Sequence, residues 1–322
     1  MLKILYICKD FTNWIGHGHL AFKKALAKVA DVTFHHKPCH VPTLLKELAD
    51  KGKTFDLLML GEAPPVTPPL TGLAEIKLPK VVHYWDVHAY QRDRLLFIKE
   101  NKIDFVVVKF KEGTLKLFPR LLDVVPCEWL PIGVDTHVFK KWSQTKTIDI
   151  LLTGAILPDV YPMRTSYLRT FKGYPGFVHV PHPGYGHFDS RTAIVHDTYA
   201  KLLNSAKVCP TCGSIYNYSI QKFFEIPASF SLLAAPPIND IVELGYVPDK
   251  HFLPVSPTSF EDKILSVLRD EDRLVEITTR GYRLVRKFHS VDVRAKQFVN
   301  LMCRAVLGVK QPFDGLREFS LR

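Results

Sequence analysis

The chain has 322 residues, 47% of them hydrophobic and 23% charged, with a formal net charge of +11. That composition excludes a disordered chain and suits two ordinary domains with buried cores. No apolar run reaches the roughly 18 residues that a membrane-spanning helix needs, and the opening Met1-Leu-Lys-Ile-Leu-Tyr-Ile-Cys8 reads as a strand without a leader's layout, so a cytoplasmic protein is expected.

Short runs of Val, Ile, Leu and Phe alternate with longer stretches of helical period, which is the pattern of doubly wound α/β sheets. The first half predicts strands at 3–8, 31–34, 55–60, 80–84, 104–109 and 127–130, with helices at 19–29, 41–50 and 89–101. The Pro-rich 61–70 reads as a loop. The second half repeats the plan, with strands near 148–152, 176–180, 207–209, 231–235 and 252–255. A polar stretch over 140–147 has linker composition, so two Rossmann-like domains are placed at 1–142 and 143–300, followed by a tail at 301–322. Such domains hold ligands at the carboxyl edges of their sheets, here in a cleft where the two face each other.

Of six scattered cysteines only Cys209 and Cys212 have metal or redox spacing, and no second pair completes a zinc site, so no metal is expected. The basic charge points to an anionic partner, either a nucleotide donor or a polyanionic acceptor. It concentrates from Arg92 to Arg120 and over 277–310, where eight Lys and Arg accompany the single acid Asp292. Solvated helix faces and a docking surface both fit these runs.

Several motifs bear chemistry. Trp14-Ile-Gly16-His17-Gly18-His19 makes a Gly-x-Gly turn into a helix, where backbone N–H groups can approach a ligand. It lacks the third glycine of the dinucleotide fingerprint, which disfavours dehydrogenase chemistry. Asp86 and His88 stand two residues apart after the fourth strand, on one side of an extended strand end. They suit proton transfer or sugar recognition, a helix cap with His88 in the first turn, or part of a metal set. Arg164 opens the helix after the first strand of the second domain, where a guanidinium pairs with phosphate or with a surface acid. Tyr185, in His182-Pro-Gly-Tyr185, suits a nucleobase or a packed turn. The loop from Gly213 to Asn217 can wrap a diphosphate with its N–H groups, and Ser214 adds a hydroxyl. Last, Lys222-Phe-Phe-Glu225 puts a cation and a carboxylate three residues apart at a helix start. It fits a phosphate-and-ribose grip using the unpaired N–H groups of that start, or an ordinary surface ion pair.

As an ordered set, these phrases resemble the GT-B glycosyltransferases of the group 1 type, and within them the CgeB-like, spore-protein-like branch. The resemblance rests on the Lys222-x-x-Glu225 helix, the buried run after it, Gly245, and the His289-x(4)-Arg294 element. Upstream it rests on Asp149-Ile-Leu-Leu-Thr-Gly154 with Tyr161-Pro-Met-Arg164, and on Pro131-Ile-Gly-Val-Asp135 with Phe139. It covers about residues 80 to 300.

The resemblance implies a metal-independent hexosyltransferase with no bound cofactor, taking its donor as a nucleotide diphosphate sugar, UDP-linked, and passing the hexose to a hydroxyl of a glycan, a protein or a modified DNA base. Lys222, Arg164 and Ser214 would meet the diphosphate, Glu225 the ribose and Tyr185 the base. Gly16, His17, Gly18 and Asn217 would meet the sugar, and Asp86 with His88 would serve catalysis. The last helix would return to the first domain. Asn217 stands where many retaining members carry a carboxylate, so the anomeric outcome stays open. A nucleotide-sugar epimerase and a non-catalytic binding protein are the alternatives; nucleic acid remains a candidate partner.

Overall fold

The apolar runs become strands of two parallel sheets in the computed structural model, which describes residues 1–12, 18–63, 66–142, 145–184, 193–305 and 308. Gly16, His17, Tyr185 and the tail beyond 308 lie outside the described residues. The chain divides into two compact units. The first holds Met1–Thr12, Phe22–Pro131 and the chain from Asp292; the second holds Ile132–Val291 with the stretch that ends at Ala21.

In chain order the first half forms β1 (Lys3–Ile7), α1 (Gly18–Leu26), β2 (Asp31–His35), β3 (Cys39–His40), α2 (Val41–Ala49), β4 (Leu57–Leu60), β5 (Leu70–Thr71), β6 (Lys80–Tyr84), α3 (Gln91–Glu100), β7 (Phe105–Val108), α4 (Lys111–Leu117), α5 (Leu121–Val124) and β8 (Cys127–Trp129). Six of these strands make one sheet in the order β2-β1-β4-β6-β7-β8, and every neighbouring pair is parallel. All four residues of β4 are buried. A strand covered on both faces reads as an unbroken apolar run, which is why it stands out in the sequence. The Pro-rich loop holds more structure than expected, since Leu70–Thr71 pairs with Cys39–His40. Proline lacks an N–H but keeps its carbonyl, and Pro69 O accepts the Cys39 N–H at 3.2 Å.

The second unit continues with β9 (Ile148–Thr153), α6 (Pro162–Phe171), β10 (Phe177–Val180), α7 (His196–Asn204), β11 (Ala206–Pro210), α8 (Lys222–Ala228), β12 (Leu232–Ala235), α9 (Asn239–Glu243), β13 (Leu253–Pro254), α10 (Phe260–Arg269) and α11 (Glu271–Phe288). Its sheet runs β10-β9-β11-β12-β13, again parallel throughout. The order reverses between β9 and β11. Connections leave in opposite directions there and open a crevice beyond the strand ends, where open α/β sheets bind ligands. Under the sheet, Ile150, Leu152, Tyr167, Phe171 and Phe260 share one core. A final helix, α12 (Val291–Ala305), lies in the first unit for all but its first residue, with Phe298 edge-on to Phe22 and Asp292 paired to Lys28 at 2.9 Å.

α8 contains Pro227, so the Phe223 carbonyl loses the N–H that would have bonded it. The Tyr246 hydroxyl, fully buried, donates to that carbonyl at 2.9 Å instead. α11 also packs on α8, where a Cβ at Gly281 would lie 3.5 Å from Pro227 Cβ and would run into the His251 carbonyl. The His289 ring stacks on Tyr246 and meets Phe224 at its edge, which makes the His289 element a packing feature here. Tyr246→Phe should strand the Phe223 carbonyl without a donor and cost about 1–3 kcal/mol. Urea unfolding would show this as a lower midpoint for the second unit.

Candidate functional site

β9 ends at Thr153, and Gly154 follows with φ +105°, a conformation that glycine alone takes readily. A Cβ there would stand 3.2 Å from both Arg164 Nη1 and Lys222 Nζ, so two cations converge on one bare stretch of backbone. Arg164 comes from the first turn of α6 and is 3% exposed. Its guanidinium covers the Tyr161 ring at 3.7 Å and Nη1 reaches the Ala155 carbonyl at 3.4 Å. Its Nε has no partner among the described residues. Lys222 opens α8 and donates to Thr153 Oγ1 at 3.0 Å and to the Tyr199 hydroxyl, carried by α7, at 3.3 Å.

The electrostatics follow from that crowding. Burial lowers the Lys222 pKa first and the Arg164 charge lowers it further, while Glu225 pulls the other way. Burial raises the Glu225 pKa against the attraction of Lys222. Burial, then Lys222 and Arg164, push the His182 pKa down. Two cations thus face one carboxylate, and the pocket carries excess positive charge in a poorly solvated place. Such a place attracts anions, above all a diphosphate that can span both cations.

Two expectations are corrected. Lys222 and Glu225 do not form a surface ion pair, because Lys222 turns to Thr153 and Tyr199, and the Glu225 carboxylate accepts no hydrogen bond from any described residue. The backbone also offers fewer donors than the expected cradle would use. The N–H groups of Phe223, Phe224 and Glu225 already go to the carbonyls of Ile220 and Gln221. In the loop after β11, Ile215 N donates to Val160 O, Tyr216 N to Ser214 Oγ, Asn217 N to Ser214 O and Tyr218 N to Gly213 O. The full positive charges at this place are side chains, Arg164 and Lys222.

Ser214 and Asn217 both take left-handed backbone, with φ 63° and 53°, and Asn217 is exposed. Gly213 permits the tight return of the loop, since a Cβ there would lie 2.7 Å from Tyr218 O. A side chain at Gly18 would run into the Gln221 amide, so the end of the Gly-x-Gly stretch abuts the residue before Lys222. Arg164, Lys222, Glu225, Ser214, Asn217 and Gly18 thus all belong to the second unit. Thr153 and Gly154, quoted above for the resemblance but given no role there, join the site, as does Tyr199, which no sequence motif marked.

In the first unit, Asp86 and His88 sit in a turn after β6, closed by Ala89 N to Asp86 O at 3.0 Å, where an extended strand end was expected. Asp86 does not cap the next helix either, because α3 starts at Gln91 with Tyr90 before it at φ 53°. Asp86 is exposed, and burial lowers the His88 pKa. The turn hangs on a buried ion pair that the sequence reading missed. Glu62, 2% exposed, accepts from Ala63 N, from Trp85 N and from Arg94 Nη2 at 3.1 Å, and Arg94 Nη1 donates to Asp86 O at 2.7 Å. Beside it, burial brings Lys109, stacked on Trp85 at 4.3 Å, down to about 8. No three His, Cys, Asp or Glu among the described residues gather as a metal site. Burial pushes the Cys209 thiol up to about 12.

A family model described as glycosyl transferase-like matches residues 137–300. Among solved structures, sucrose-phosphate synthase (tll1590) from Thermosynechococcus elongatus is 12% identical with a TM-score of 0.64, over 96% of this chain and 100% of that one. Anabaena Alr3699/HepE, solved in complex with UDP-glucose, is 10% identical with a TM-score of 0.62, over 94% and 99%. A glycosyltransferase from Rickettsia africae ESF-5 is 10% identical with a TM-score of 0.58, over 94% and 98%. These likenesses identify the fold as GT-B, an α/β architecture with two Rossmann-like domains. No curated protein matches the sequence.

The site's geometry makes Gly154 its most sensitive backbone position. Gly154→Ala adds a methyl against both cations at a positive φ, a strain of about 1–3 kcal/mol. Inorganic pyrophosphate, titrated by calorimetry, should bind roughly tenfold or more weakly to this variant.

Proposed function

The chain belongs to the glycosyl transferase-like family, and on that premise we propose that it transfers a hexose from a nucleotide diphosphate sugar, UDP-linked, to a hydroxyl-bearing acceptor. The observation that carries this reading is the convergence of Arg164 and Lys222 at Gly154, where the β9/β11 crevice opens. Negative charge builds on the diphosphate as the sugar leaves. Two cations already in place, poorly solvated and fixed by Tyr161, Thr153 and Tyr199, stabilise that charge with little reorganisation. The counter-charge comes from side chains, so the reading calls for no divalent ion.

Glu225, its carboxylate uncommitted, accepts the ribose hydroxyls. Ser214 adds a hydroxyl at the diphosphate, Tyr185 lies against the base, and Gly16, His17, Gly18 and Asn217 contact the sugar. The UDP-glucose held by the Anabaena HepE structure supports a UDP-linked donor. Asp86, assisted by His88, takes the acceptor proton in an inverting transfer; in a retaining one a donor phosphate oxygen takes it. The Lys-Phe-Phe-Glu helix followed by buried β12 supports a place in the CgeB-like branch.

Incubation with a panel of nucleotide sugars and candidate acceptors, with nucleotide release measured, tests the reading. Lys222→Ala should lower kcat by about 10²–10³, and Glu225→Ala should weaken donor binding by roughly tenfold or more, the worth of a hydrogen bond to a charged group. Failure of every donor to bind or turn over, with both variants unchanged in UDP binding, would sink it. An altered nucleotide sugar formed with no acceptor consumed would mark an epimerase instead.

The reading also fixes a pH dependence. Because burial and Arg164 lower the Lys222 pKa, UDP affinity should begin to fall at a lower pH than an ordinary lysine near 10.4 would dictate. Proton uptake should accompany binding in the window where free Lys222 is partly neutral. Lys222→Arg, whose guanidinium stays charged, should flatten the profile in calorimetry across buffers.

A further inference from the structure

The basic run from Arg92 to Arg120 lies apart from the Arg164 and Lys222 site, and it borders a groove on the first unit. One flank of α3 supplies Arg92, Leu95, Leu96 and Lys99, and the turn between α4 and α5 supplies Leu117, Phe118 and Arg120. The two walls enclose about 560 Å³. Gln91 ties them together, its Nε2 donating to Leu117 O at 2.6 Å and to Val87 O at 3.1 Å. The lining is apolar and partly open to solvent, with Leu96 45% exposed and Leu115 close by in sequence at 41%.

Charge complements that apolar lining. Arg92, Lys99 and Arg120 are exposed and make no ion pair among the described residues. Over residues 91–120 there are eight Lys and Arg against four Asp and Glu. Pairing removes charges of both signs, Arg94 to Glu62, Lys116 to Glu112 and Asp104 to Lys80, and leaves Arg92, Lys99 and Arg120 along the groove against Asp93 and Glu100 on α3. The rim therefore carries net positive charge above exposed leucine.

We propose that this groove docks the protein reversibly on an anionic phospholipid surface. Long cationic side chains at the rim of an apolar face place their heads at phosphate level while their stems and the leucines meet acyl chain. Basic clusters of this kind recognise anionic headgroups. The walls are a helix and a turn between helices, and no strand edge lines the groove to pair with an extended peptide. Its floor is mainly leucine with one buried phenylalanine, which gives nucleobases no stacking platform. The docking is independent of the donor reading.

Co-sedimentation of the full chain with sucrose-loaded vesicles tests the proposal. Vesicles of phosphatidylcholine with phosphatidylglycerol should carry the protein down, pure phosphatidylcholine should not, and added salt should release it. Arg92→Glu with Arg120→Glu should weaken the binding roughly tenfold or more, and Leu96→Asp should weaken it comparably by wetting the floor. Lys99→Glu provides a separate rim variant. All three should keep wild-type UDP affinity and melting temperature, which separates lost docking from lost folding. Wild-type protein remaining in the supernatant with both vesicle types would overturn the proposal, as would variants that bind vesicles like the wild type. If an acidic amphipathic peptide bound through these residues while vesicles did not, the groove would be a protein-docking site and the membrane proposal would fall.

Discussion

Two positive charges held together out of bulk water are the constraint on which the donor-side architecture turns. Arg164 and Lys222 repel each other, and burial strengthens the repulsion by removing solvent screening. The fold holds them in place by local means: the face of Tyr161 under the guanidinium, and the hydroxyls of Thr153 and Tyr199 at the ammonium. Gly154 contributes by having no side chain where both cations point. An unliganded site of this kind stores unfavourable charge that an anion relieves.

The second unit builds this place from four separate segments, one of them α7 with Tyr199. β9 delivers Thr153 and Gly154, α6 delivers Arg164, and α8 delivers Lys222 and Glu225. The reversal of strand order beside β9 brings them to one crevice. In the first unit the parallel device is a single carboxylate. Glu62 at the end of β4 holds the Trp85 amide after β6 and, through Arg94, the Asp86 carbonyl. Removing one member of that buried pair would leave the other charge uncompensated, which makes the turn at Asp86 depend on residues from three elements.

Much of this was legible in the sequence, for identifiable reasons. The sheets show up because strands buried on both faces, such as Leu57–Leu60 and Phe105–Val108, need unbroken apolar runs. Lys222 and Glu225 could be singled out because helical spacing is local. Their geometry was not legible, since whether a lysine turns to its own helix or to a neighbouring strand is decided by Thr153 and Tyr199, far away in the chain. The occupied amides around Ser214 were equally hidden, because the turn is written in backbone angles that residues 214 and 217 adopt without being glycine. The pairing of Leu70–Thr71 escaped notice because proline signals loops even where its carbonyl still serves a ladder.

Pro227 ties the helix bearing Lys222 and Glu225 to a residue nineteen positions further on. Any ordinary amino acid at 227 would return an N–H to the Phe223 carbonyl, which would then no longer depend on the Tyr246 hydroxyl for its donor. The two positions therefore act as one structural unit: the proline creates the need for a donor, and the tyrosine meets it. The backbone of the helix that bears Lys222 and Glu225 is thus completed by a side chain from outside it, and its stability is shared with the turn that carries Tyr246.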